Sequence, residues 1–118
     1  MATPARAQTR SNVLGVLHLL ASAHEQLIYE QRVPHVPVAD ELIEIFVTDI
    51  FHPKSTEFVF AFTEAELKDL AELFGLFRVA RARKHELGVR LVGELQKLPE
   101  WRAVIALAKR LEHAFRRA

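Results

Sequence analysis

The chain has 118 residues, of which 50% are hydrophobic and 26% are charged, a balance typical of one soluble globular domain and not of a disordered or fibrous chain. It contains no cysteine, which excludes disulfide bonds and thiolate metal sites. The formal net charge is +1, so the overall charge predicts neither an acidic nor a basic partner.

The first ten residues are polar and contain no long apolar run. We expect a disordered lead over residues 1–10 and a single helical domain over residues 11–118. The apolar segment that follows the lead is interrupted by Gly15, His18 and Ser22. We therefore expect neither a signal peptide nor a membrane-spanning segment.

Two helices are predicted in the first half of the chain. Ser11 is typical of a helix N-cap, and apolar residues follow it at helical spacing. We expect this helix to end before Pro34, because proline disfavours a helical conformation in the residue before it. After the short connector VPHVP, a second helix is predicted over residues 38–50. One side of this helix is apolar, and the opposite side is acidic.

Alternating phenylalanines distinguish residues 51–62, where Phe58, Phe60 and Phe62 stand two apart. This spacing suits an extended segment, but no second strand pattern lies nearby to pair with it, and a lone strand is not stable. We therefore predict a loop that holds its aromatic side chains in the core.

Clear start signals mark the helices of the second half. Thr63 and Glu66 have the spacing of a capping box, and the helix that they open is predicted to end near residues 85–88. A shorter helix is predicted over residues 89–98, and Pro99 is well suited to the first turn of a last helix. The whole pattern predicts an all-α, single-domain bundle of four to five helices.

The charges are strongly separated along the chain. Residues 36–72 carry nine acids against two lysines, a balance of −7, whereas residues 73–118 carry eleven bases against four acids, a balance of +7. Helix macrodipoles account for much of this separation in the third helix, which is acidic at its start and basic at its end. The second helix contains no lysine or arginine, and its like charges Asp40 and Glu44 stand four residues apart. An uncompensated acidic face is therefore predicted, either as a docking surface for a basic partner or as an idle surface.

Motifs of catalytic and metal sites are absent from the sequence. The six histidines show no i, i+4 pair and no H-E-x-x-H motif, and we expect His18 and His24 to be partly buried. No P-loop, dinucleotide-binding fingerprint or G-x-S-x-G motif occurs. We therefore expect no catalytic, cofactor-binding or metal site, and we expect that the protein is not an enzyme.

An RNA-directed alternative rests on the stretch RVARARKH. Arg78 and His85 in it have R-x6-H spacing, which resembles the signature of the higher-eukaryote and prokaryote nucleotide-binding family of all-α ribonucleases. The resemblance implies that the arginine and the histidine act on an RNA phosphate. RNA binding without catalysis is a further alternative, in which a basic patch would contact phosphates. That patch would contain Arg78, Arg81, Arg83, Lys84, Arg90, Arg116 and Arg117.

A longer resemblance covers residues 38–115. The stretches VADELIEIFVTDIFHP, FTEAELKDLAELFGLF and LPEWRAVIALAKRLEHAF are similar to small bacterial immunity proteins of contact-dependent growth inhibition and related polymorphic-toxin systems. Three short matches carry the similarity, namely Asp49 to Phe51, Phe62 to Leu67, and the Pro-Glu-Trp entry at Pro99 to Trp101. The resemblance implies a cytoplasmic protein that binds a cognate toxin domain, often a nuclease with a basic groove, and blocks its active site or its access to substrate.

The acidic second helix would suit a basic toxin domain, and it supplies most of the expected contacts. The expected partner-binding residues are Asp40, Glu41, Glu44, Asp49 and Glu57, with Thr48 and His52 at the rim. Charges at the rim of an interface mainly set the association rate and its dependence on salt.

Overall fold

The computed structural model describes residues 4–117, and within this range it describes every side chain except those of Pro4 and Asp49. These residues form seven α-helices and contain no strand, so the all-α prediction is confirmed and the predicted number of four to five helices is wrong. In chain order the helices are α1 (Pro4–Leu20), α2 (Ala23–Arg32), α3 (Val38–Glu44), α4 (Thr56–Phe60), α5 (Glu64–Leu87), α6 (Val92–Leu95) and α7 (Pro99–Arg117), and a π-helical segment (Ile45–Ile50) follows α3 directly.

The first predicted helix is wrong at its start and in its length. Residues 4–10 belong to α1 and are not a disordered lead, while residues 1–3 of that lead lie outside the described part of the chain. The helix then ends at Leu20, because Ser22 acts as the N-cap of a new helix and its hydroxyl accepts a hydrogen bond from the backbone N–H of Glu25 at 3.1 Å. One predicted helix is therefore two.

The second predicted helix is confirmed in extent, but its last six residues are π-helical. The amide of Phe51 donates to the carbonyl of Phe46 at 2.9 Å, which is the i→i+5 bond of a π-helix. Val38, Leu42 and Phe46 are buried, as the apolar face of the helix predicts.

The phenylalanine-rich segment contains the short helix α4, where a loop was predicted. Phe58 within α4 and Phe62 just after it are both buried, with ring centroids 5.0 Å apart. Phe60 lies on the opposite side and is 60% exposed, so the prediction that it enters the core is wrong. The guanidinium of Arg6 lies over its ring, 5.1 Å from the centroid.

The core lies where α7 packs against α5 and α1. Trp101 on α7 is fully buried and meets Phe77 on α5 edge to face, with ring centroids 5.6 Å apart. The predicted start signals of both helices are confirmed. Thr63 and Glu66 form the capping box of α5, and α7 begins at Pro99.

Gly88 ends α5 in the left-handed conformation, with a φ of 65°. We expect Gly88→Ala to lower the free energy of unfolding by about 1 kcal/mol, because a Cβ atom is disfavoured at this φ. Gly93→Ala is the matched control, since Gly93 lies within α6 and an alanine there is expected to be neutral or stabilising. Urea denaturation of both variants measures the difference, and equal effects of the two substitutions would contradict the assignment.

The short helix predicted over residues 89–98 is reduced to the four residues of α6. Before α6 the backbone N–H of Val89 donates to the carbonyl of Lys84 at 3.0 Å and closes the end of α5, and after α6 residues 96–98 form a turn and a bend.

Candidate functional site

The acidic side of α3 faces the basic half of α5. Lys84 on α5 pairs with Asp40, and Arg81 pairs with Glu44 at 3.2 Å. The expectation of an uncompensated acidic face is therefore wrong for these two carboxylates. The positive charges that compensate Asp40 and Glu44 are not on α3, four residues away. They are on α5, about forty residues further along the chain.

The Arg81–Glu44 pair is open to solvent on both sides, whereas the Lys84–Asp40 pair is open only on the side of Asp40, because the Lys84 side chain is 13% exposed. The exposed side-chain fractions are 60% for Asp40, 58% for Arg81 and 43% for Glu44. Exposed pairs of this kind contribute about 0–1 kcal/mol to stability, since water and salt screen them. The Glu44 carboxylate can therefore exchange its internal partner for an external one at little cost in free energy, whereas exchange at Asp40 would leave the largely buried Lys84 without its counterion.

Glu41 has a different neighbour. It is exposed, and within residues 4–117 no lysine, arginine or histidine lies within ion-pair distance of it. Its carboxylate accepts a hydrogen bond from the hydroxyl of Tyr29 at 2.8 Å, and this bond is the main reason why the pKa of Tyr29 is raised. Within the described residues, the partner of Glu41 is thus a hydroxyl group and not a cation.

A cavity of about 320 Å³ separates α2 from α3 at this point. Tyr29 lies on its α2 side, and Glu41 and Glu44 lie on its α3 side, with the apolar Leu42 and Ile45 between them. The cavity combines an apolar floor with a carboxylate rim, which matches the two parts of an arginine or lysine side chain.

The remaining expected partner-binding residues divide into two groups. Thr48 stays with the α3 surface, since its hydroxyl donates to Glu44 at 2.9 Å. His52 and Glu57 are exposed and line a separate small crevice between α1 and α4. The side chain of Asp49 lies outside the described residues.

Sequence reasoning missed three neighbours of the candidate surface, namely Tyr29, Arg81 and Lys84. The basic half of α5 was visible in the sequence, but nothing in the local pattern placed it against α3. No sequence signal identified Tyr29, because its role depends on how α2 packs beside α3.

The histidines do not form a metal site in the described part of the chain, where no group of three or more metal-ligating side chains comes together. The expectation that His18 and His24 are partly buried is wrong, since both are exposed. The break between α1 and α2 changes the helical phase after Leu20, which turns His24 outward. The Nδ1 atom of His18 lies 2.7 Å from a carboxylate oxygen of Glu112 on α7.

Arg78 and His85 both lie on exposed turns of α5 but line different surface depressions. Arg78 lies beside Val79 and Glu86, whereas His85 lies beside Asp40 and Glu44. The larger basic patch considered for RNA is also interrupted by acids, because Arg81, Arg83 and Lys84 each pair with a carboxylate. The geometry thus does not gather these residues around one phosphate-sized site.

None of the helices in residues 4–117 combines the length and the apolar character needed to cross a membrane. Comparison of the chain with protein-family models, with curated proteins and with solved structures found no match.

Proposed function

We propose that this protein is a cytoplasmic immunity protein that binds a basic toxin domain, such as a nuclease, and neutralises it by stoichiometric association. The contact surface in this proposal is the exposed side of α3, with Asp40, Glu41, Glu44 and Thr48. His52 and Glu57 would extend it towards α4, and Asp49 belongs to the same expected set.

The observation that carries the proposal is the unpaired negative charge of Glu41 at the mouth of the cavity between α2 and α3. An arginine or lysine of a partner could place its alkyl chain over Leu42 and Ile45 and its charge beside Glu41 and Glu44. Because arginine is enriched among the residues that dominate binding energy at interfaces, such a cavity is a suitable anchor point.

The neighbouring ion pairs give the surface a second property. Asp40 and Glu44 are held by Lys84 and Arg81, so they add no net charge, but the Arg81–Glu44 pair is exposed on both sides and weak. A basic partner could compete for the Glu44 carboxylate during binding. Association should therefore be fast at low ionic strength and slower as salt screens the contacts.

A charge reversal at position 41 tests this proposal. With the toxin-like domain encoded beside this gene as the probe, we expect wild type to bind and Glu41→Lys to associate about tenfold more slowly at low salt, because the reversal adds a repulsive charge to the rim. The difference should shrink in about 1 M salt, where the Debye length is about 3 Å. Stopped-flow or surface-based kinetics measure both rates.

Glu64→Lys is the matched control, because Glu64 is equally an exposed glutamate but lies at the opposite end of α5 from Arg81 and Lys84. It should slow association less than Glu41→Lys does, because the repulsion between two charges weakens with the distance between them. The absence of any binding at low salt would refute the proposed function. Equal slowing by both reversals would refute the placement of the contact at α3.

A further inference from the structure

The outward side of α5 and the turn that follows it are unusually apolar. Among the described residues, five large hydrophobic side chains are exposed, and three of them lie between residues 79 and 91. These are Val79, Leu87 and Leu91, with exposed fractions of 56%, 51% and 59%. The core does not need any of them, so they are available to a second surface.

Val79 lies at the centre of a shallow groove of about 540 Å³ along α5. Gly75, Ala82 and Glu86 share its side of the helix, since they stand at steps of three or four residues. A Cβ atom added at Gly75 would meet nothing within 4 Å, so no packing among the described residues explains a glycine there. The groove leaves room for close approach by another helix.

The charges around the groove are arranged symmetrically about Ala82. Arg78 stands four residues before Ala82, and Glu86 stands four residues after it. Within residues 4–117, Arg78 makes no ion pair, whereas Glu86 accepts from Arg83 at 3.1 Å. One end of the groove therefore carries the positive Arg78, and the other carries the Glu86 carboxylate in an exposed, weak pair with Arg83.

One carboxylate oxygen at the groove also lacks a donor. Oε1 of Glu100, on α7, is buried and has no hydrogen-bond partner among residues 4–117, and Nε of Arg83 lies 4.0 Å from it. This distance is too long for a hydrogen bond. An additional donor arriving at the groove would satisfy this oxygen.

We propose that a second copy of this chain binds this groove, with the two α5 helices antiparallel around a twofold axis near Ala82. In that arrangement Arg78 of each copy lies at the height of Glu86 of the other, which gives two equivalent ion pairs around an apolar centre of Val79 and Ala82. The twofold axis makes the same patch serve both copies, as in most homodimers. The charge pattern selects a second copy as occupant because it is complementary to itself in this orientation.

This inference does not depend on the proposed function. The groove and the α3 surface lie on different sides of α5, because Arg81 and Lys84 project roughly opposite to Val79 on a helix of 3.6 residues per turn. A dimer formed through the groove would leave both α3 surfaces open to other partners.

Two charge reversals and their mixture test the dimer. We expect wild type to dissociate from dimer to monomer on dilution in sedimentation velocity. Arg78→Glu alone and Glu86→Arg alone should each raise the dissociation constant at least tenfold, because each places like charges opposite one another in both contacts. An equimolar mixture of the two variants should dimerise again, since both contacts in the mixed pair are complementary.

Lys54→Glu is the control, because Lys54 is exposed on the connection before α4 and lies away from the groove. It should dimerise like wild type. A monomeric wild type at all concentrations would overturn the proposal. So would a dimer that persists in both single reversals, or a mixture that stays monomeric although far-UV circular dichroism shows both variants folded.

Discussion

Replacing Gln26 with leucine is expected to lower the free energy of unfolding by about 3 kcal/mol, although leucine is the more hydrophobic residue. Gln26 lies on α2 and is completely buried, yet its amide is fully engaged. Its Nε2 group donates to the carbonyls of Leu20 at 3.0 Å and Leu19 at 3.3 Å. Its Oε1 atom accepts from the indole N–H of Trp101 at 3.1 Å and from the amide of Gln96 at 3.2 Å.

Leucine would leave two of these groups buried without partners. The carbonyl of Leu20 belongs to the last turn of α1, where no intrahelical donor remains for it, and the indole N–H of Trp101 lies in the core. Each buried unsatisfied group costs about 1–3 kcal/mol. Leucine is similar in size to glutamine, so it fills no space that glutamine leaves empty. The cost of the two unsatisfied groups therefore exceeds the gain from burying the apolar side chain.

Urea denaturation of Gln26→Leu, Trp101→Phe and the double variant measures the coupling. Phenylalanine removes the indole N–H, so the leucine substitution should cost about 1 kcal/mol less in that background. Gln31→Leu is the control, because Gln31 is an exposed glutamine on the same helix, and it should change stability by less than about 0.5 kcal/mol. Equal losses at positions 26 and 31 would contradict the role of the buried amide.

Local signals in the sequence predicted the starts of the two longest helices, α5 and α7. The capping box of Thr63 and Glu66 and the proline at position 99 each act within one helical turn, so a short stretch of sequence is sufficient to identify them. The start of α1 was missed because it depends on residues distant in sequence, whereas the start of α2 was missed although its Ser22 cap is local. Residues 4–10 were predicted to be disordered, but in the folded chain Arg10 contacts groups more than fifty residues away.

The candidate surface also combines local features, which the sequence predicted, with contacts between helices, which it did not predict. Its acidic residues were predicted because they stand out on one side of α3. Their neighbours were not, because Lys84 approaches Asp40 and Tyr29 approaches Glu41 only when α5 and α2 have packed beside α3. Pairing between helices is a tertiary property, and periodicity within one helix carries no information about it.

Glu66→Gln is expected to lower the free energy of unfolding by about 2 kcal/mol at pH 7. Glu66 is only 7% exposed and forms a two-fold contact with Arg10, at 2.8 Å and 3.1 Å. The same arginine donates to the carbonyl of Ala61 at 3.0 Å and lies over the rings of Phe62 and Phe115. Glutamine keeps the shape of the side chain but leaves the arginine charge without its counterion. The expected loss is below that of a fully buried pair, because 26% of the Arg10 side chain remains exposed.

The acid dependence of stability separates this charge effect from a change in packing. Burial alone would raise the pKa of Glu66, but the hydrogen bonds from Arg10 and from the Thr63 backbone outweigh it and hold that pKa below its usual value. In the unfolded chain the pKa of a glutamate is about 4.3. Between these two pKa values the unfolded chain binds more protons than the folded chain does. The stabilisation by the Glu66 carboxylate is therefore complete above about pH 5, and it is lost as the pH falls through the pKa of Glu66 in the folded protein. Glutamine does not titrate, so the stability difference between wild type and Glu66→Gln should shrink progressively below about pH 4.

Denaturation curves of both proteins from pH 7 down to pH 3 measure this convergence. Glu64→Gln serves as the control, since Glu64 is exposed at the start of the same helix and makes no ion pair in the described residues. Its difference from wild type should stay within about 0.5 kcal/mol at every pH, the size of a helix-dipole contribution at the surface. A Glu66→Gln deficit that is constant with pH would mean that the carboxylate stabilises the fold by its shape and not by its charge. The contact between α1 and the start of α5 would then be held by the stacking of Arg10 on Phe62 and Phe115.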